Sequence, residues 1–352
     1  MPRAVVIFLV ILVVALVITM ATFYFMPASN KKTEERPKGD PALYVSNDGG
    51  LNWEALGASN GLVPLSFAFS VKESSQIYLG TKGEGLWVSS DAGKTLNRAG
   101  VLDDKADIYA ISQNASGDTL YLAVFEKNFG KLIRFQKDKA EEIYSTPLPR
   151  YGIFGVVVDQ SDDRHIDIAS GDGGFFETVD GGKSWEPISR TAEGLVRLLS
   201  HPSVPGKLWA LGNKGTFYAS DSGGRVWKEH KSISIDGGHA AKKIYEIKYN
   251  PLRHSVLAAT DYGFIETADN GESWTAFRTI IPPNALAVTA VAPHPRFAEV
   301  LWMAADRQIY RTDDGGVTWT KGSFPQTLND AVVSLLEVDE NNPKRIYAGF
   351  SR

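Results

Sequence analysis

The sequence predicts an all-β protein: one closed seven-bladed β-propeller of four-stranded antiparallel blades, preceded by a single N-terminal transmembrane helix. Three observations predict it. An eight-residue motif recurs at intervals of forty-odd residues, each interval holds four short strand signals, and the two chain ends carry complementary halves of one unit.

The motif reads Ser/Thr-x-Asp-x-Gly-x-x-Trp. It occurs as SNDGGLNW at Ser46–Trp53, TVDGGKSW at Thr178–Trp185, TADNGESW at Thr267–Trp274 and TDDGGVTW at Thr312–Trp319. Two looser copies are SSDAGKTL at Ser89–Leu96, with Leu96 at the Trp position, and ASDSGGRVW at Ala219–Trp227, read with one extra residue before Trp227. The motif aspartates are then Asp48, Asp91, Asp180, Asp221, Asp269 and Asp314, separated by 43, 89, 41, 48 and 45 residues. The second gap is two periods. Its missing unit shows in outline at Lys131–Tyr144, where KLIRFQKDKAEEIY has lost the Asp, Gly and Trp. Seven units fit.

Each unit carries the strands of a blade. In the fourth, Tyr151–Asp159 is a β-branched buried run, His165–Ser170 alternates, Gly174–Val179 leads into the motif and Ser184–Ile188 leaves it. The motif is thus the turn between third and fourth strands. At the C-terminus, Ala331–Phe350 supplies two strands and stops, whereas Ala42–Leu56 begins with a third strand and a motif. Joined, they make one blade and leave no sheet edge open.

Ahead of this body, Ala4–Met26 has no charged residue. As a helix it would span about 35 Å, enough for a bilayer core of about 30 Å. The run exceeds the apolar core of a signal peptide, and no small-x-small cleavage site follows. The expected division is a transmembrane anchor at 1–27, a Pro- and charge-rich linker at 28–41 and the propeller at 42–352. Arg3 lies before the span and Lys31, Lys32, Arg36 and Lys38 after it. That charge count favours a cytoplasmic body under the positive-inside tendency.

Composition excludes several functions. With no cysteine, disulfides, thiolate metal sites, a Cys nucleophile and a lipidated Cys are all ruled out. A net charge of -4 argues against a general nucleic-acid binder.

Each motif slot has a folding role. The Asp accepts hydrogen bonds from the N–H groups that follow it, the glycines permit positive φ, the Ser or Thr hydroxyl bonds across the turn, and Trp53, Trp185, Trp227, Trp274 and Trp319 supply buried area. The string lacks the alternating carboxylates and terminal Glu of a helix-flanked calcium loop, and the glycine spacing of a phosphate-binding loop. No metal or cofactor is expected.

At these residues the chain resembles the Asp-box, or BNR-repeat, propellers, a family that includes sialidases, two-propeller xyloglucanases, sortilin-type receptors and photosystem II assembly and stability factors. The resemblance covers Ala42–Phe350. Family sialidases use an Arg-Ile-Pro motif and an arginine triad; neither is recognisable here. Family xyloglucanases set two carboxylates between two propellers, and this chain has one. The resemblance therefore implies a non-catalytic, membrane-associated scaffold or assembly factor that binds protein partners. Because such propellers usually work outside the cytoplasm, it also implies an extracytoplasmic body, against the charge count. The alternative is a glycan-acting hydrolase or carbohydrate-binding propeller of the sialidase type.

If the motifs occupy one rim, the loops joining second to third strands form the other. They carry Glu84, Glu126, Asp172, Asp261 and Asp306, expected to converge at one channel mouth. Glu84, Asp172, Asp261 and Asp306 are the weak catalytic candidates, since carboxylates about 5–10 Å apart hydrolyse glycosides. The longest insertion, Glu229–Glu246, reads as a surface loop with His230, His239, Lys242 and Lys243. With Glu126, Arg150, Tyr151, Tyr262 and Arg307, its His239, Lys242 and Lys243 make the candidate partner contacts. His201-Pro202 and His294-Pro295 sit at equivalent positions after first strands and read as part of the repeat.

Overall fold

A strand buried on both faces must be apolar at nearly every position, and the second strand of each unit meets that demand. Ile77–Thr81, Ile166–Ser170, Leu208–Gly212, Leu301–Ala305 and Ile346–Ser351 are buried throughout. In the computed structural model, which describes residues 41–351 except 101, 104, 138 and 325–330, each is an interior strand of a four-stranded antiparallel sheet.

There are seven such sheets, the blades, numbered here by motif order. Blade 1 joins the two chain ends: Val332–Val338, Ile346–Ser351, Leu43–Ser46 and Glu54–Ala55. Blades 2 to 7 follow with inner strands Pro64–Phe69, Asp107–Gln113, Ile153–Val158, Leu195–Ser200, Ile244–Asn250 and Val288–Pro293. Every inner strand carries a register shift near its start, as between Ile153 and Gly155. Such a bulge sharpens the local twist.

Closure occurs as the ends suggested. Leu43 to Ser46 pair antiparallel with Gly349 to Ile346, and Tyr44 packs with Trp302, Leu336 and Phe350 in a shared core. Blade 3 lacks the motif: Phe129–Gln136 and Lys139–Ser145 join through a tight turn where other blades carry the eight residues.

The motif turns fasten neighbouring blades as well as their own. Trp185 Nε1 donates to Ile143 O of blade 3 at 2.8 Å, Trp319 Nε1 to Arg278 O after blade 6 at 2.9 Å, and Trp227 Nε1 to Ser189 Oγ of blade 4 at 3.1 Å. In the other direction, Arg134 Nη1 donates to Gly181 O and Trp302 Nε1 to Gly49 O.

The insertion after blade 5 is not an irregular loop. Ile233–Ile235 and His239–Ala241 form a hairpin, and Ile233 and Ile235, each 2% exposed, pack in the cluster around Trp274. Among the described residues no helix is long and apolar enough to cross a membrane. The expected anchor at 1–27 and all but the last residue of the linker at 28–41 lie outside those residues.

Candidate functional site

In five turns the motif chemistry repeats atom for atom. The first-position hydroxyl of Ser46, Ser89, Thr178, Thr267 or Thr312 donates to Oδ1 of Asp48, Asp91, Asp180, Asp269 or Asp314 at 2.7–2.8 Å. The same Oδ1 accepts the seventh residue's backbone N–H at 2.8–3.0 Å. Oδ2 accepts from that residue's side chain: Asn52, Thr95, Ser184, Ser273 or Thr318, at 2.6–2.7 Å. The seventh position was therefore a working slot of the repeat. Both middle residues take positive φ, 83° and 93° at Gly49 and Gly50, which explains the small residues there. These bonds stabilise the ionised carboxylate. Thr95 holds Asp91 down to about 2, as Thr318 does Asp314, and Ser184 lowers Asp180 further. Each carboxylate is fully engaged in its turn.

The sixth turn corrects the sequence reading. Ser222, not Asp221, occupies the Asp position: its Oγ accepts from Val226 N at 2.9 Å, and Gly224 N donates to Ser220 Oγ at 3.0 Å. No residue is inserted before Trp227. Asp221 points outward, with Asn270 Nδ2 3.3 Å from its Oδ2.

On the opposite rim the expected acids are each held by local partners. Glu84 pairs with Arg98 and Glu126 with Lys131. Asp172 Oδ2 lies 3.1 Å from Arg190 Nη2, while its Oδ1 accepts from Gly174 N. Asp261 Oδ1 accepts from Lys242 N and Lys243 N at 2.9 and 3.0 Å, tying blade 6 to the hairpin. Asp306, at φ 54°, faces Arg307 at 3.6 Å. Each acid is engaged by a cation or backbone N–H of its own neighbourhood, and no hydrogen bond or ion pair joins two of them.

Among the expected partner contacts, Arg150, His239 and Lys242 are exposed, and Lys243 lies over the Tyr245 ring. Tyr151 is half-buried and its carbonyl accepts from Gly130 N. Tyr262 is a correction: at 6% exposure it belongs to the core beneath the hairpin, with the His239 ring tilted against it at 5.6 Å.

Two clefts open on the motif rim. Between blades 4 and 5 lies one of about 320 Å³, lined by Asp159, His165, Asp167, His201 and Val204. A smaller one of about 170 Å³, between blades 5 and 6, is lined by His201, Lys207, Trp209, Tyr249 and Asn270. His201 Nδ1 accepts from Ser203 N and Val204 N, and its Nε2 lies 2.8 Å from Tyr249 Oη. His294 Nδ1 accepts from Arg296 N and Phe297 N in the same way. Both imidazoles cap turns after inner strands, as Asp159 and Asp339 do with Ser161 N and Asn341 N. Burial lowers the pKa of both histidines, consistent with neutral acceptors.

The wall of the larger cleft holds a denser group. His165 Nε2 lies 3.0 Å from Glu177 Oε1 and 3.6 Å from Asp167 Oδ1; its Nδ1 lies 3.6 Å from Asp159 Oδ2. Arg225 of the next blade donates to Glu177 Oε2 at 3.0 Å. The surrounding carboxylates, Asp167 first, raise His165 to about 9, while burial raises Asp167. Repeat reading passed over these residues because they lie on strands rather than in the motif. In the channel, Lys248 of blade 6 pairs with Glu337 of blade 1, and buried Glu246 accepts from Val291 N at 3.0 Å.

Fold and surface together define a single seven-bladed β-propeller with two clefts on the motif rim. No protein-family model matches the chain. Among curated proteins it is similar to the photosystem II assembly lipoprotein Ycf48 of Parasynechococcus marenigrum strain WH8102, 26% identical over 234 residues, 65% of this chain and 66% of that one. Across the first three such relatives the match spans 44–66% of their length. A solved structure described as YCF48 bound to D1 peptide superposes with a TM-score of 0.63 at 15% identity, covering 93% of this chain and 98% of that one. The GH74 xyloglucanase from Xanthomonas campestris also gives 0.63, at 16% identity, over 87% of this chain and 51% of that one. At these identities the solved structures establish the fold alone.

Proposed function

We propose that this chain is an Asp-box propeller, held at a membrane by residues 1–27 through the linker 28–41, that binds a protein partner in assembling or stabilising a membrane complex. The carrying observation is the similarity to Ycf48 assembly proteins, which runs through 65% of the chain. The body at 42–352 works on the extracytoplasmic side and performs no catalysis. The state of its acids supports the non-catalytic part. A glycoside hydrolase needs one carboxylate free to donate a proton and another free to attack or activate water. Glu84 and Asp172 are held by arginines, Asp261 by two backbone N–H groups, and Asp306 faces Arg307. Partner contact falls to the exposed and half-buried side chains of the same rim: Glu126, Arg150, Tyr151, His239, Lys242, Lys243 and Arg307.

The test uses the full chain in its own membrane. A variant carrying Glu84→Gln, Asp172→Asn, Asp261→Asn and Asp306→Asn, checked for its β circular dichroism, is compared with wild type for co-purifying partner protein and for hydrolysis of β-glucans and sialosides. Unchanged capture with no sugar release from either protein is expected. Sugar release by wild type that the variant lacks would overturn the reading.

A further inference from the structure

One place in the propeller departs from the repeat in a way that folding does not require. Aligned by register with the third strand, one column of the second strand holds Tyr78 in blade 2, Tyr121 in blade 3, Trp209 in blade 5, Leu257 in blade 6, Trp302 in blade 7 and Tyr347 in blade 1. Four of these reach into the next blade: Tyr121 Oη to Asp163 O, Trp209 Nε1 to Asn270 Oδ1, Trp302 Nε1 to Gly49 O and Tyr347 Oη to Ala92 O. In blade 4 the slot holds Asp167. The cleft of about 320 Å³ lies at the junction to blade 5, with Asp167 in its wall.

A carboxylate in an apolar slot is expensive, and one oxygen of this one makes no hydrogen bond to offset the cost. Asp167 is 7% exposed, and its Oδ1 is buried with no hydrogen-bond partner. Directly across the sheet stands Glu177, 8% exposed, paired in register with Asp167. His165, at the mouth of the same strand, turns its Nε2 toward both acids. One donor atom from each of His165, Asp167 and Glu177 lies within 4.8 Å of the others.

We propose that His165, Asp167 and Glu177 form a zinc-type divalent transition-metal site at the junction of blades 4 and 5. Three protein ligands, one imidazole nitrogen and two carboxylate oxygens, suit zinc or a neighbouring first-row ion; hard calcium and magnesium prefer all-oxygen sets. Tetrahedral ligands at about 2.0–2.2 Å stand about 3.3–3.6 Å apart. The 3.0 and 3.6 Å separations from His165 Nε2 already bracket that range. The outer shell is present too. Asp159 Oδ2 lies on the Nδ1 side of the imidazole, where an acid fixes the metal-bound tautomer, and Arg225 holds the far oxygen of Glu177. The fourth position faces the cleft, where water or a partner's side chain completes the sphere. The metal would tie the second and third strands of blade 4 together at the place where other blades set an aromatic side chain.

The experiment titrates the full, metal-stripped chain with Zn²⁺ by calorimetry and with Co²⁺ by its visible absorption. The expected result is one equivalent per chain, with a four-coordinate cobalt spectrum. Asp167→Asn and His165→Gln should each weaken binding more than tenfold, since even outer-shell changes cost about 10–100-fold. Asp167→Tyr, which restores the residue type used in other blades, should abolish binding; if Asp167→Asn fails to fold, His165→Gln at its half-exposed position keeps the test decisive. No heat at about 0.1 mM Zn²⁺ would overturn the proposal. So would binding that survives in folded His165→Gln and Asp167→Tyr, which would mark an adventitious ion elsewhere.

Discussion

Blade 5 offers a repair that tests the chemistry of the turns. Its motif has Ser222 where five others have Asp, and Val226 where they have Asn, Ser or Thr. The backbone is already correct: Gly223 and Gly224 have φ of 63° and 74°, beside 76° and 87° at Gly181 and Gly182. Ser222→Asp lets a charged oxygen replace the hydroxyl as acceptor of Val226 N, but leaves Oδ2 without its side-chain donor. Val226→Thr alone adds an exposed hydroxyl with no carboxylate to meet. Together they recreate the bond seen at 2.6 Å between Ser184 Oγ and Asp180 Oδ2. A charge-assisted bond at an exposed turn is worth roughly 0.5–1.5 kcal/mol. We therefore expect about 0.5 kcal/mol from Ser222→Asp, about zero from Val226→Thr and about 1.5 kcal/mol from the pair. The coupling of about 1 kcal/mol corresponds to a Tm rise of about 2 °C for a domain of this size. Urea and thermal unfolding of the four proteins measure it. Since Asp221 stands beside the new charge, the cycle is repeated in Asp221→Asn, where the gain from Ser222→Asp should be larger. Coupling below about 0.3 kcal/mol in both backgrounds would refute the assignment of Ser222 and the seventh-position role.

Three further outcomes follow from the same geometry. Trp274→Ala removes a ring that is 1% exposed and packed under Ile235, and should cost about 3–5 kcal/mol, seen as a Tm fall of about 5–8 °C with early exchange of the 233–241 hairpin amides. The motif carboxylates have folded pKa values below the usual 3.8, about 2 for Asp91 and Asp314. Their stabilisation is complete above the unfolded value and lost as pH falls through the folded one, so stability should drop between about pH 4 and 2, and less steeply in Asp91→Asn/Asp314→Asn. Deleting 42–56 removes the two strands that close blade 1, exposing the edge of Ile346–Ser351; the product should aggregate, as light scattering will report, whereas adding the segment back as a peptide should restore solubility.

Blade count and ring closure were legible because they rest on periodicity and on complementary ends, both local properties of the chain. The misplacement of Asp221 arose from following the amino acid rather than the spacing: Ser220 to Trp227 is eight residues, the standard length, with Ser222 third. The hairpin after blade 5 also has a sequence signature, since Ile233 and Ile235 alternate before Asp236-Gly237, and both Gly237 and Gly238 take positive φ. What one sequence could not supply was the pairing of the rim acids. Arg98 lies 14 residues from Glu84, and Arg190 lies 18 from Asp172, so their meeting depends on strand register and not on any motif. Asp167 becomes visible only when the second strands are aligned by blade and one aspartate stands in a column otherwise aromatic or leucine.

The most direct test of the central claim is in-cell cross-linking of the full chain, with a photoreactive residue in place of Arg150 or Lys242, followed by mass measurement of the isolated adduct. A discrete adduct with one membrane-complex protein is expected, formed from this rim and absent when the photoreactive residue replaces Val317 on the motif rim. Adducts of equal yield from both rims, or none from either while the isolated protein releases sugar from a glycan, would contradict that claim.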